Sequence, residues 1–428
     1  MKRIHYFFLL IALSGFTYGQ EADPVLVAPG DWTYEKLALP LSFAPDIPLT
    51  GYEEVRFSPQ WNVMDTDGFW TYAFAWVLEQ PLNVDRQTLA TYLESYYDGL
   101  MQAVGKFETV DTQVALQENE SGYEGIVVTK DGFFTKAEIR LHLKITTHQN
   151  GGLWVFKLSP KPKDHTNWEV LQAIRPNAVK HVTLSGKFKT FDGISIAYTD
   201  TGSGYPVLLL HGFINSGSSW NKTELKKALI AQGFRVIVPD LRGNGQSDKP
   251  QLPDSYHHDA EVKDLLALAD HLNLTAYHAV GYSRGSIVLA KLLTQEPQIT
   301  KAVLGGMGAD FTDPDWDRRK AFADAFSGRK AANTLTSGAI AYAESIGADL
   351  KVLGYLQDFQ PVTRPTELNN IRIPVMIACG DADTDNGDPK ELQAMIPKSE
   401  MILLKGDHNN TYKQADFARA VIDFLTKN

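Results

Sequence analysis

The stretch Tyr277-His278-Ala279-Val280-Gly281-Tyr282-Ser283-Arg284-Gly285 decides the fold. An apolar run, Tyr277 to Val280, enters Gly-x-Ser-x-Gly, and a helical stretch from Ser286 to Leu293 follows at once. That order predicts a strand turning sharply into a helix, with the Ser283 hydroxyl presented at the turn. The two glycines have a steric role, because side chains flanking so tight a turn would collide with it. The motif alone is weak evidence, since glycine and serine are common in ordinary turns. Its position between a strand and a helix gives it weight.

Outward from this point, strands alternate with helices from about His181 onward. Val182 to Lys187 and Ile194 to Thr199 read as an opening antiparallel pair. Val207 to Leu210, Arg235 to Val238, Tyr277 to Val280, Lys301 to Leu304, Val375 to Cys379 and Met401 to Leu404 are short apolar runs between helical segments. Continuously apolar strands spaced by helices predict a mostly parallel sheet covered on both faces, an α/β doubly wound fold. In such sheets the site lies at the carboxyl ends of the strands.

A serine hydroxyl is a poor nucleophile unless an imidazole takes its proton and a carboxylate orients that imidazole. Downstream of Ser283, the run Val375 to Cys379 ends in Gly380-Asp381-Ala382-Asp383-Thr384-Asp385, which offers three carboxylates. The last strand ends in Lys405-Gly406-Asp407-His408, and His408 is the candidate base. Acidic residues after strands also serve as turn formers and caps, so spacing alone leaves the acid open among Asp381, Asp383 and Asp385. Asp388, before Pro389, reads as a cap for the next helix.

From Val182 to Asn428 the chain resembles the α/β-hydrolase superfamily, on several motifs together. His211-Gly212-Phe213 resembles the family's oxyanion loop, and Asp240-Leu241-Arg242-Gly243-Asn244-Gly245-Gln246-Ser247-Asp248 its loop after the next strand. The resemblance implies Ser283 as nucleophile, His408 as base and Asp383 as acid, the acid lying three residues after the glycine that ends its strand. It also implies that backbone N–H groups of Phe213 and Arg284 hold an oxyanion, with the helix dipole assisting. His211 and Asp240 read as structural turn residues. Dehalogenases and epoxide hydrolases of this fold carry aspartate at the elbow; Ser283 therefore points to acyl transfer. Arg284 could meet an anionic substrate group or pack against a neighbouring carboxylate. Gly306 to Asn370 interrupts the strand-helix rhythm, has the size of a lid, and carries Phe311, Trp316, Phe322, Phe326, Tyr342, Tyr355 and Phe359. These aromatic residues fit an apolar substrate pocket and fit lid packing equally well.

The preceding half has a different texture. Phe69 to Leu78 reads as an aromatic-rich strand, and Leu89, Tyr92, Leu93, Tyr96 and Leu100 mark one face of a helix. Ile139, Leu141, Leu143 and Ile145 alternate with polar residues, and Asn150-Gly151-Gly152 turns that strand toward Leu153 to Leu158. Residues 25–165 are expected to form a smaller α+β domain with an antiparallel sheet, 166–180 a linker, and 181–428 the hydrolase domain. No metal-ligand spacing, phosphate loop or nucleophile motif occurs in the first half, and His142 and His148 read as surface residues.

The 428 residues carry a formal net charge of −10 and no long Lys/Arg block, which argues against a nucleic-acid surface. Residues 1–20 start with Lys2 and Arg3, continue through the apolar run Tyr6 to Leu13 and end in small and polar residues, the pattern of a secretory signal peptide. No later run is long enough to span a bilayer, and the single cysteine, Cys379, offers no disulfide. The expected protein is exported to a periplasm or to the medium, and hydrolyses a small-molecule carboxylic ester or lactone without cofactor or metal. A cofactor-free haloperoxidase, perhydrolase or carbon–carbon hydrolase on the same three residues is the second reading. An inactive, hydrolase-like binding protein is the third.

Overall fold

The computed structural model describes residues 24–177 and 183–427. The proposed signal segment, residues 1–20, lies outside them. The chain divides into two compact units, Met1–Leu184 and Ser185–Asn428.

The first unit is built on a seven-stranded antiparallel sheet. Its spatial order is Thr33–Leu39, Gly51–Phe57, Tyr72–Leu78, Leu153–Ser159, Glu138–His148, Gly122–Lys130 and Gln113–Asn119. Tyr72–Leu78 is buried along its whole length because both its faces are covered. Phe74 and Trp76 face the helix Arg86–Gly105, packing with its Leu89, Leu93 and Tyr96. Ala73, Ala75 and Val77 face the other way, toward Trp168, Leu171 and Ile174. The helix starts where the Asp85 carboxylate caps the Thr88 N–H at 2.8 Å and stops at Lys106, which adopts the left-handed conformation (φ 55°).

Two expectations for this half are corrected. The strand expected from Phe69 begins only at Tyr72, because Gly68 to Thr71 closes a turn (Thr71 N–H to Gly68 C=O, 3.0 Å). The interval 166–180 is not a plain linker: Asn167–Ala173 is a helix with Trp168 and Leu171 buried. Its Trp168, Leu171 and Ile174 recur at helical spacing, a short signal lost among polar neighbours. Arg175–Pro176 then pairs with Leu26–Val27. His142 and His148 lie half-buried, with His148 Nε2 3.0 Å from the Thr146 hydroxyl.

The second unit carries an eight-stranded sheet in the order Thr183–Lys189, Ser195–Thr201, Arg235–Pro239, Pro206–Leu210, Tyr277–Tyr282, Ile299–Gly305, Val375–Gly380 and Ser399–Leu404. Arg235–Pro239 runs antiparallel to Ser195–Thr201, and every later pairing is parallel. Along Pro206–Leu210 successive residues supply opposite cores. Leu208 and Leu210 pack toward the helices Ala260–His271 and Arg284–Leu292, and Val207 and Leu209 toward Glu224–Ala231 and Ala415–Thr426. Apolar residues at every position are what a sheet buried on both faces requires. Between Ile299–Gly305 and Val375–Gly380 the chain forms helices Asp317–Phe326, Ser337–Ser345, Leu350–Asp358 and Pro365–Leu368, where the lid-sized insert was expected.

One buried ion cluster holds the loop after Arg235–Pro239. Arg242, fully buried, meets Asp264 (Nη2–Oδ1, 2.7 Å) and Asp192 (Nη1–Oδ2, 2.6 Å). Its charge is held well above the usual range by those carboxylates despite burial. Removing one partner from such a cluster strands the remaining charges, at about 3–5 kcal/mol. Arg242→Ala is therefore expected to lower the unfolding free energy of the second unit by about that amount, measured by urea denaturation. A change under about 1 kcal/mol would mean that the cluster contributes no more than a surface pair.

Candidate active site

Ser283 sits between the end of strand Tyr277–Tyr282 and the start of helix Arg284–Leu292, with φ 54° and ψ −122°. This left-handed backbone is disfavoured for a residue with a side chain and costs on the order of 1–3 kcal/mol. The flanking glycines are forced by space. A Cβ on Gly281 would lie 2.4 Å from the Gly285 carbonyl oxygen, and one on Gly285 would lie 2.2 Å from the Leu210 carbonyl oxygen. Ser283 N–H donates to the Gly305 carbonyl (2.8 Å), and the Ser286 hydroxyl donates to the same oxygen (2.8 Å). The end of the neighbouring strand thereby clamps the turn.

His408 Nε2 lies 2.9 Å from Ser283 Oγ, and His408 Nδ1 lies 2.9 Å from Asp383 Oδ2. With the proton on Nδ1 shared with Asp383, Nε2 is left to accept from the serine hydroxyl. The Asp383 side chain is only 3% exposed and that of His408 16%. The Tyr282 hydroxyl donates to the His408 carbonyl at 2.9 Å, which fixes the backbone that carries the imidazole.

The other carboxylates near Asp383 are engaged in local structure. Asp381 accepts the Gly406 N–H (3.0 Å), and Asp385 forms an ion pair with Arg318 (3.3 Å). Asp388 caps helix Pro389–Met395 by accepting the Lys390 N–H at 2.8 Å. Asp407 accepts the N–H groups of Asn409 and Asn410 (2.9 and 3.0 Å) and so forms the turn that delivers His408.

Gly212 lies against the elbow: a Cβ there would approach Ser283 Cβ to 3.4 Å. Phe213 follows it, and its ring meets Phe326 and Phe322 of the insert, with centroids 5.2 and 6.2 Å apart. Among the described residues, neither the Phe213 N–H nor the Arg284 N–H donates to a protein acceptor. His211 is buried in a purely local role, its Nδ1 on the Gly212 carbonyl (2.9 Å) and its Nε2 accepting the Leu241 N–H (3.0 Å). Burial holds its pKa below the usual histidine value. Asp240 accepts the Gly217 and Gln246 N–H groups, each at 2.7 Å.

The Arg284 guanidinium packs against a carboxylate. It donates from Nε to Glu261 Oε1 at 3.2 Å and from Nη2 to Glu261 Oε2, and both side chains are buried. Glu261 went unread in the sequence because its place in helix Ala260–His271 looks like an ordinary charged helix position. Asn386 was also unread: its side-chain N–H donates to the Gly306 carbonyl at 3.1 Å, and the same nitrogen sits 3.3 Å from His408 Nδ1. Of the insert's aromatic residues, Phe311 and Phe326 are packed into cores, whereas Phe322 is half-buried beside Phe213.

Residues 205–348 match the family model described as the alpha/beta hydrolase fold. Over 126 residues the chain is 35% identical to Epoxide hydrolase 2 of Siraitia grosvenorii, covering 29% of this chain and 38% of that protein. It is 38% identical over 113 residues to a putative non-heme chloroperoxidase of Synechocystis sp., covering 26% of this chain and 40% of the other. The matches thus span well under half the length of these relatives. Among solved structures, a bromoperoxidase from Bacillus anthracis aligns at 26% identity and TM-score 0.47, covering 57% of this chain and 100% of its own. An esterase from Exiguobacterium antarcticum aligns at 20% identity and TM-score 0.49, with the same coverages of 57% and 100%.

If Asp383 orients His408, Asp383→Asn should reduce turnover of an activated ester by about two to four orders of magnitude. Asp381→Asn and Asp385→Asn should each change it by less than roughly tenfold, since neither touches the imidazole. Steady-state kinetics on the three variants decide this, and a reversed ranking would move the acid role to a neighbour. Over residues 205–348, then, the chain matches the alpha/beta hydrolase fold.

Proposed function

We propose that this chain is an exported serine hydrolase that cleaves carboxylic esters or lactones through an acyl-enzyme. The observation that carries the reading is the continuous line from Ser283 Oγ through the His408 imidazole to the Asp383 carboxylate, with 2.9 Å at both contacts. In the first half-reaction Ser283 Oγ attacks the carbonyl carbon while His408 Nε2 takes its proton. The tetrahedral oxyanion is met by the N–H groups of Phe213 and Arg284, and His408 returns the proton to the departing alkoxide. Water, deprotonated by His408, then attacks the acyl ester and releases the acid and the free serine. Asp383 stays ionised throughout and stabilises the imidazolium. No step calls for a cofactor. Export rests on the composition of residues 1–20 alone.

The name of the epoxide hydrolase relative does not carry over. A serine opening an epoxide would form an ether, which has no carbonyl for water to attack, so the enzyme would not regenerate. An acyl ester on Ser283 does have that carbonyl. Perhydrolysis or cofactor-free halogenation is the second reading. It is favoured by the 38% identity over 113 residues with the chloroperoxidase-named relative, and it would use the same three side chains with peroxide in place of water.

A fluorophosphonate probe should label the wild type and leave Ser283→Ala unlabelled, read by gel fluorescence, and hydrolysis of p-nitrophenyl esters should vanish with the same substitution. Peroxide-dependent bromination of monochlorodimedone exceeding ester turnover would favour the second reading. A folded wild type that takes no label would favour a binding protein with no hydrolytic activity.

A further inference from the structure

We propose that an aromatic cleft in the first unit is a binding site for a small organic ammonium group. This lies beyond the hydrolytic reading and stands or falls without it.

A small cleft, open to solvent, lies between the hairpin Thr33–Leu39/Gly51–Phe57 and the helix Arg86–Gly105. Seven of its twelve lining residues are aromatic, Phe57, Trp61, Trp70 and Tyr96 among them. The only ionisable side chains in its lining besides tyrosines are the carboxyls of Glu35 and Glu53, and the lining holds no lysine, arginine or histidine. In the register of the hairpin Glu35 stands opposite Val55 and Leu37 opposite Glu53, so both acids point to the same inward face, where an apolar residue would be expected.

Glu53 is the informative residue. It is fully buried, and its oxygens accept from the Tyr96 hydroxyl (3.0 Å) and the Trp76 indole N–H (2.9 Å), both neutral donors. Among the described residues no cation pairs with it. The next residue, Glu54, shows the ordinary solution to the same burial: it faces the other way and is paired with Arg56 at 3.2 Å. Burial drives the Glu53 carboxyl up to about 8, with Glu35 nearby adding to the shift. Burial raises Glu35 as well.

Two carboxyls facing ring surfaces, with no cationic side chain in the lining, suit a cation with apolar substituents. Ring faces attract such a cation, and its weak hydration makes transfer into the cleft inexpensive. The rings are set as walls and not as one stack: Phe57 and Trp61 lie 4.6 Å apart at 33°, and Trp61 meets Phe133 edge-on at 5.6 Å. A neutral apolar ligand would gain from the rings alone and nothing from the two carboxyls.

The test uses the full chain, with choline as the probe and its neutral isostere 3,3-dimethyl-1-butanol as the control. Calorimetry and tryptophan fluorescence should show saturable choline binding, tighter than the isostere by about tenfold or more, as a desolvated cation–π contact gives. Below about 8 the empty site holds Glu53 neutral, so binding a cation must expel that proton. Choline does not titrate, and its affinity should therefore rise from pH 6 to pH 9 by up to about a hundredfold. The groups facing Glu53 are Glu35 from the edge strand, Tyr72 and Trp76 from the central strand, and Tyr96 and Tyr97 from the helix. The tyrosines are held above their usual range by burial and stay neutral across this window.

Glu53→Gln should abolish the pH dependence and lower affinity at pH 9 by more than about tenfold. Trp61→Ala, at a partly buried position, should weaken binding at least fivefold at unchanged circular dichroism. No binding, equal binding of the neutral isostere, a flat pH profile, or full affinity in both variants would each overturn the proposal.

Discussion

Everything at the candidate site depends on the backbone of Ser283 being held at φ 54°. Left to itself that residue would relax into a helical or extended conformation and turn its hydroxyl away from the strand ends. Three constraints prevent this. The helix packs so closely on strand Pro206–Leu210 that only glycine fits at position 285, where a Cβ would meet the Leu210 carbonyl. The turn is closed by its own hydrogen bond, Ser286 N–H to Ser283 C=O at 2.8 Å. The Gly305 carbonyl binds the turn from the side through two donors. Strain is tolerated here because the surrounding sheet leaves the turn no lower-energy place to go.

The imidazole is positioned from the same anchor. Gly306, next to that clamping carbonyl, packs so close to the Tyr282 ring that a Cβ would come within 2.7 Å of it, and its own carbonyl accepts the Asn386 amide. Tyr282 in turn holds the His408 backbone. The elbow and the histidine loop are 125 residues apart in the chain, yet one ring and one carbonyl separate them. Among these carboxylates, position decides which meets the imidazole. Asp381, Asp385, Asp388 and Asp407 hold local backbone N–H groups or an arginine, whereas Asp383 accepts the Asp385 N–H with Oδ1 at 3.3 Å and reaches the imidazole with Oδ2.

What the sequence made legible was local. Ser283, with its glycines, its preceding strand and its following helix, sits inside a dozen residues, and the sheet was read from apolar runs whose period survives any tertiary detail. His408 and Asp383 were approachable because they follow strands, although choosing among three aspartates needed a resemblance. Features set by distant partners were silent. The Glu261 that neutralises Arg284 lies 23 residues away on another helix, and Asn386 stands in a run of turn formers. The helix Asn167–Ala173 was hidden because seven residues give two buried positions, too few for a period to show. Glu35 and Glu53 were hidden for the opposite reason: an acid alternating with apolar residues in an edge hairpin looks like a solvent face, and only the register shows it pointing inward.

Both units pair buried charge within the protein, Glu54 with Arg56 in the first and two arginines with carboxylates in the second. In the second unit Arg242 and Arg284 are buried beside carboxylates, and their charges are spent on fixing loops. Arg284 is paired with Glu261 through Nε and Nη2, and its Nη1 has no protein partner. The insert meets the loop after strand Pro206–Leu210 through Phe213, whose ring packs on Phe322 and Phe326. If the Phe213 N–H holds the oxyanion as proposed, a shift of helix Asp317–Phe326 would move that donor, and this aromatic contact would couple access to Ser283 with the oxyanion site.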